Sequence, residues 1–182
     1  MRIVGGTARG RKLVAPEGEH TRPTADRVRE SLFNILMGNV RGARVLDLFA
    51  GSGALALEAI SRGAQEAVLV EVDRKAQAAI ARNVEIVNGG AQVRVIRADW
   101  RVALGGMDGA FDLVFLDPPY AMVDVYGEAC LGLSQRGLLA DGAIVVMEHR
   151  SSDVVAVPDG FEMYDERRYG EAMLAFVREV SP

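Results

Sequence analysis

From Ala43 onward, short apolar runs alternate with stretches of helical periodicity, and no other feature of the chain limits its fold so strongly. The runs are Ala43–Leu48, Ala67–Val70, Gln92–Ile96, Phe111–Leu116 and Ala143–Met147. Between them, Ala54–Arg62, Lys75–Val87 and Val125–Gln135 have helical spacing, and a short helical turn is expected near Trp100–Leu104. A strand apolar along its whole length must be covered on both faces, and helices that return the chain after each strand make the strands parallel. The tail departs from this pattern. Gly160–Arg167 and Ala172–Glu179 read as two strands joined by Arg168–Glu171, an antiparallel hairpin at one edge. The expectation is an α/β fold with a mostly parallel seven-stranded sheet and a reversed C-terminal hairpin.

The first 40 residues read as an extension and residues 41–182 as the body. Residues 3–15 suggest two short strands around a turn containing glycine and arginine. Residues 16–23, with two prolines and a glycine, suggest a loop. Val28, Leu32, Ile35 and Leu36 recur at helical spacing, so Ala25–Met37 is expected to be an amphipathic helix, with Thr24 as its cap and Asp26 in its first turn. The net charge is −4, which disfavours a polyanionic partner until its distribution is considered. Residues 1–44 hold nine of the 21 basic residues and only four of the 25 acids. A basic segment on an acidic body suits a nucleic-acid partner, and composition alone fits a solvated basic tail equally well. The candidate phosphate contacts are Arg2, Arg9, Arg11, Lys12, Arg22, Arg27 and Arg29.

Other classes receive little support. No apolar window approaches the ~18 residues of a membrane span, and the N-terminus lacks the apolar core of a secretory signal. The single cysteine, Cys130, lies in an apolar stretch and reads as core, in a reduced cytoplasmic setting. His20 reads as loop surface and His149 as strand-end structure. No His, Cys or Asp spacing suggests a metal.

Two strand tips carry the chemistry. After the first strand, Asp47-Leu-Phe-Ala-Gly51-Ser-Gly53 opens a helix; its glycines let backbone approach a ligand, and the helix start offers unpaired N–H groups. Gly51-x-Gly53-x-x-Ala56, with Glu71 twenty positions after Gly51, also fits a dinucleotide fingerprint. Asp47 argues against that ligand, because a carboxylate ending the strand would repel a pyrophosphate. Unit charges ~4 Å apart interact by about 4 kcal/mol at an effective dielectric near 20, so the sign matters. S-adenosylmethionine carries an ammonium and a sulfonium and no phosphate, so the same acid attracts it. Glu71 can accept from a ribose diol, Asp99 can accept from an adenine amine, and Trp100 can cover the ring or simply fill the core. Asp73 is expected to cap the following helix.

Asp117-Pro118-Pro119-Tyr120 directly follows the fourth strand. Two prolines fix φ twice and remove two donors, which leaves a rigid set of carbonyl acceptors beside a carboxylate and an aromatic ring. An exocyclic base amine is a poor nucleophile because its lone pair is delocalised. Accepting its two N–H groups favours a pyramidal nitrogen, and a stacked Tyr120 fixes the plane of the base. A nearby carboxylate also stabilises the cation that forms on nitrogen.

These motifs resemble those of Rossmann-like class I amino-methyltransferases. The runs Arg2-Ile-Val-Gly-Gly6, Gly10-Arg-Lys-Leu13 and Arg22-Pro-Thr-Ala-Asp26-Arg-Val-Arg-Glu-Ser-Leu-Phe-Asn34, with the Arg168-Tyr-Gly170 turn, resemble the RsmD-type 16S ribosomal RNA guanine-N2 methyltransferases. The resemblance spans nearly the whole chain. It implies methylation of guanine N2 at position 966 of the small-subunit RNA, in the small ribosomal subunit or an assembly intermediate, by a cytoplasmic monomer using S-adenosylmethionine. It carries cofactor roles to Asp47, Gly51, Gly53, Glu71 and Asp99, and catalytic roles to Asp117, Pro118 and Tyr120. Trp100 lies outside the family pattern. DNA adenine-N6 or cytosine-N4 methylation, and a non-catalytic RNA-binding assembly factor, remain the alternatives.

Overall fold

The computed structural model describes residues 1–18, 23–119, 122 and 124–180, with the side chains of 23–25 excepted. Among the described residues the order of elements is α1 (Pro23–Ile35), α2 (Met37–Val40), β1 (Arg44–Asp47), α3 (Ala54–Ser61), β2 (Glu66–Val70), α4 (Arg74–Val87), β3 (Val93–Ile96), α5 (Trp100–Gly105), β4 (Phe111–Leu116), α6 (Val125–Gln135), β5 (Leu139–Arg150), β6 (Phe161–Tyr169) and β7 (Ala172–Glu179). The strands form one sheet in the order β3-β2-β1-β4-β5-β7-β6. The first five are parallel along β3-β2-β1-β4-β5, and β7 runs antiparallel between β5 and β6.

Alternate residues of each central strand feed opposite faces, as a two-residue side-chain period demands. Val45, Leu69, Leu113, Phe115 and Phe176 pack with α1, α3 and α4 on one face. Leu46, Val68, Val114, Met147 and Val177 pack with α5 and α6 on the other. Cys130 belongs to this second layer and is fully buried, and burial pushes its thiol up to about 12.

Several boundaries differ from the sequence expectation for physical reasons. The first helix begins at Pro23, a residue suited to a first helical position because it lacks the N–H that would go unused there. Thr24 therefore lies inside the helix, and its expected capping contact falls outside the described side chains. The fifth strand extends beyond Ala143–Met147 at both ends, because Leu139 pairs with Phe111 of β4 and β7 pairs with it from Val145 to Arg150. Arg168 and Tyr169 lie within β6, so the hairpin turns on Gly170 and Glu171 alone, with Gly170 at φ 64.

The two strands expected within residues 3–15 reduce to a single antiparallel bridge, Arg2 to Lys12. Part of the arm's backbone polarity is satisfied by buried side chains of the body instead. Val4 N–H donates to Glu58 (2.8 Å), Ala8 N–H to Ser61 Oγ (2.9 Å), and Val14 N–H to Asn83 (2.7 Å). Ile3, Ala8 and Leu13 pack against Ala54, Leu57 and Val87. Gly6 (φ +74) passes so close to α3 that a Cβ would lie 1.8 Å from the Ser61 carbonyl oxygen. The arm is thus bolted to α3 and α4.

Candidate active site

A cavity of about 890 Å³ opens at the carboxyl edge of the sheet, where β1 and β4 adjoin. The chain leaves β1 toward β2 on one side while β4 and β5 lie on the other, so the loops part and leave a crevice. The tips of β1, β2, β4 and β5, the loop after β3, and residues 1, 15, 16, 28, 29 and 32 of the N-terminal region all line it.

The glycine loop is held from below. Gly53 (φ 78) is the N-cap of α3, and a Cβ there would meet Leu69 at 2.9 Å. Gly51 N–H donates to Glu71 Oε2 (2.8 Å), and Asp73 N–H donates to Glu71 Oε1 (2.8 Å). Each Glu71 oxygen keeps a lone pair for a further donor. Asp73 caps α4, accepting from Lys75 and Ala76. Asn83, fully buried in α4, donates to Ser52 O and Val14 O, so the glycine loop and the N-terminal arm share one support. Sequence reasoning missed Asn83, although a polar residue on the apolar stripe Ala76, Ala79, Ile80, Val87 was a usable signal.

Asp47 is 1% exposed, and its Oδ1 has no hydrogen-bond partner among the described residues. Burial pushes its carboxyl up to about 7; backbone hydrogen bonds from Ala56 and Phe49 oppose this, and the Glu71 charge adds to it. Asp99 is exposed, lines the cavity and caps α5 through Arg101 N–H (2.9 Å). Trp100 is buried yet reaches the cavity, its ring 6.2 Å from that of Phe49 and its Nε1 without a partner among the described residues. It both fills the core and lines the site.

The double-proline corner shares this cavity. Asp117, Pro118 and Pro119 line it, and Pro119 O accepts from Met122 N–H (3.0 Å). Tyr120 lies outside the described residues. Burial is the main force raising the Asp117 carboxyl well above the usual carboxylate range, followed by the charges of Glu148 and Asp47. Glu148, near the end of β5, was missed from the sequence. Leu116 pairs with Met147, so Asp117 and Glu148 are the next residues along adjacent parallel chains. Burial raises the Glu148 carboxyl and the Arg29 charge lowers it.

The basic candidates divide into two groups. Arg2, Arg9, Arg11, Lys12 and Arg27 are exposed. Arg2 lies 3.9 Å from Asp26, and Arg11 donates to the Ile86 carbonyl. Arg22 lies outside the described residues, as does His20. Arg29 corrects the sequence expectation: it is 5% exposed, donates to Asp26 (2.7 Å) and to the Arg2 carbonyl, and faces Glu58 at 3.7 Å. A guanidinium so enclosed does not reach a phosphate at the surface. Glu58, itself fully buried, also accepts from Arg62 (2.8 Å). His149 is buried near the end of β5, its Nδ1 2.9 Å from the Arg150 carbonyl. Among the described residues no group of three or more His, Cys, Asp or Glu side chains could hold a metal ion.

Comparison with known proteins gives a consistent result. The family described as Conserved hypothetical protein 95 matches residues 1–178. Ribosomal RNA small subunit methyltransferase D of Escherichia coli K12 is 38% identical over 172 residues, 94% of this chain and 86% of that one. The protein of the same name from Haemophilus influenzae is 33% identical over 173 residues, 93% and 89% of the two chains. The solved structure of yhhF from Escherichia coli superposes with a TM-score of 0.86 at 36% identity, covering 100% of this chain and 99% of that one. The chain belongs to the Conserved hypothetical protein 95 family, that of the RsmD-type methyltransferases.

Proposed function

We propose that this methyltransferase uses S-adenosylmethionine, the cofactor of its family, to methylate the exocyclic N2 amine of a guanine in 16S ribosomal RNA. By family resemblance the target is position 966, reached in the small subunit or an assembly intermediate by a cytoplasmic monomer. One observation carries the reading: a single cavity joins Asp47 and the Asp117–Pro119 corner, at the tips of neighbouring strands β1 and β4.

The cavity suits the donor. A buried carboxyl whose Oδ1 has no partner among the described residues, that of Asp47, is costly by itself and matches a cationic ligand. Glu71 has lone pairs for a ribose diol, Asp99 and Trp100 flank room for an adenine, and the Gly51–Gly53 turn allows close approach. When bound, S-adenosylmethionine supplies an electrophilic methyl group on a sulfonium.

The remaining work belongs to the chain. Asp117 and the Pro118 carbonyl accept the amine N–H groups and orient its lone pair, with Tyr120 stacking on the base. Pro119 stiffens the corner. Asp117 stabilises the ammonium that forms, and takes its proton or passes it to water. Arg2, Arg9, Arg11, Lys12, Arg22 and Arg27 grip phosphates, which positions the strand without reading its sequence. The target guanine must be unpaired or flipped to enter the cavity.

Incubation with methyl-labelled donor and either immature small subunits or naked DNA tests the substrate. Label is expected in RNA. Label in DNA alone would establish the DNA-methylating alternative, and RNA binding without any transfer would establish the assembly factor.

A further inference from the structure

We infer that Glu148 selects guanine, its carboxylate accepting the base's N1–H while Asp117 and Pro118 accept the N2 amine. The inference rests on the guanine-N2 reading above and deepens it.

The sheet register brings the two acids together. Asp117 and Glu148 each lie one residue beyond the Leu116–Met147 pair, on parallel strands that run ~4.8 Å apart. Both line the same cavity at the carboxyl edge. Among the described residues no hydrogen bond or ion pair engages either carboxyl group. Tyr126 donates its hydroxyl to the Glu148 backbone carbonyl (2.6 Å), which anchors the backbone at this cavity-lining residue.

Burial raises the Glu148 carboxyl overall, and one nearby charge opposes that rise. Arg29 is buried against the same cavity, and its charge lowers the Glu148 carboxyl, whereas Asp117 is raised by both of its acidic neighbours. Among the described residues Arg29 Nε has no hydrogen-bond partner, and the side chain is fixed by Asp26 and Glu58. The buried arginine thus sets a positive charge near an acceptor that lines the cavity.

An acceptor beside the amine-binding corner discriminates among bases by elementary complementarity. Guanine presents adjacent donors, N1–H and the N2 amine. Adenine presents an acceptor, N1, beside its N6 amine, and cytosine presents N3 beside its N4 amine. A carboxylate facing that second position bonds with guanine and repels the lone pair of the other two. A site built to accept a proton donor rejects a base that lacks it.

The test uses 16S RNA in which the accepting guanosine is replaced by 2-aminopurine riboside through splinted ligation, assembled into the small subunit. 2-Aminopurine keeps the 2-amine and converts N1 from donor to acceptor. Wild type is expected to favour guanine by about 10- to 100-fold in kcat/KM. Glu148→Gln can present either an oxygen or an N–H₂ to N1, so the preference should fall at least tenfold. Its melting temperature should not fall below that of wild type, and its donor affinity should match. An unchanged preference in Glu148→Gln, or an equal loss of rate on both bases, overturns the assignment and leaves Glu148 without a part in base selection. If wild type forms no N2-methylguanosine, the guanine-N2 reading itself fails and this inference falls with it.

Discussion

Replacing Asp47 by Asn should stabilise the free protein and weaken its hold on the donor. The residue is 1% exposed, one carboxyl oxygen has no partner among the described residues, and burial carries the group from an ordinary 3.8 to about 7. Below pH ~4 it is protonated in both native and unfolded chains, so wild type and variant should differ little. Between pH ~4 and ~7 the native state keeps a proton that the unfolded chain has lost. Wild-type stability attributable to this group therefore declines as pH rises, and the whole penalty is in place above ~7. A gap of about three pH units at about 1.4 kcal/mol each sets the scale near 4 kcal/mol, and relaxation around the site reduces it to about 2–4 kcal/mol. Urea unfolding of wild type and Asp47→Asn at intervals from about pH 4.5 to 8 measures it. The advantage of the variant should grow with pH across that window. Calorimetry on the same samples should show donor affinity at about pH 7.5 reduced tenfold or more. A stability difference that does not change with pH would refute the claim that Asp47 is a strained, buried acid.

Asp117→Ala should lower turnover by roughly 100- to 1,000-fold while calorimetry finds donor affinity nearly unchanged; an equal loss of both would move Asp117 into donor binding. Glu71→Ala should do the reverse, weakening donor binding by roughly 10- to 100-fold, since it loses ribose acceptors and the Gly51 tether together. Wild-type donor affinity in that variant would exclude Glu71 from the donor site. Gly6→Ala forces a Cβ onto the Ser61 carbonyl at positive φ, so urea unfolding should record a loss of about 2–4 kcal/mol, with weaker RNA binding as the arm lifts. Replacing Arg2, Arg9, Arg11 and Lys12 together by Ala should weaken RNA binding and flatten its salt dependence, by about 0.7 in log–log slope for each phosphate no longer neutralised. An unaltered slope would make these four residues solvated surface.

The body of the fold was legible because its strands are buried on both faces, which writes them as uninterrupted apolar runs. Phe111–Leu116, Val125–Gln135 and Ala172–Glu179 match their elements residue for residue. Features set by distant partners were not legible. The arm looked like a hairpin because its alternation is strand-like; it keeps a few cross-arm backbone bonds around the Arg2–Lys12 bridge, and Glu58, Ser61 and Asn83, some 50 to 70 positions away, take backbone N–H groups of Val4, Ala8 and Val14. Arg29 looked like its neighbours Arg22 and Arg27, but it follows Val28 and precedes Leu32 and Phe33 by three and four residues, on the buried side of α1. Its surroundings, not its type, remove it from the exposed basic set. Asp47, Glu71 and Asp117 were singled out by position, as acids ending apolar strands, and the structure sets all three, with Gly51, around one cavity. Glu148 fits the same rule. It was passed over because only the β4–β5 register brings it beside Asp117.

Nucleoside analysis by mass spectrometry tests the joint placement of donor and base most directly. Immature small subunits are incubated with the protein and S-adenosylmethionine, and their RNA is digested completely. N2-methylguanosine should be the one new nucleoside. N6-methyladenosine or N4-methylcytidine in its place, or no new methylation at all, would contradict the account.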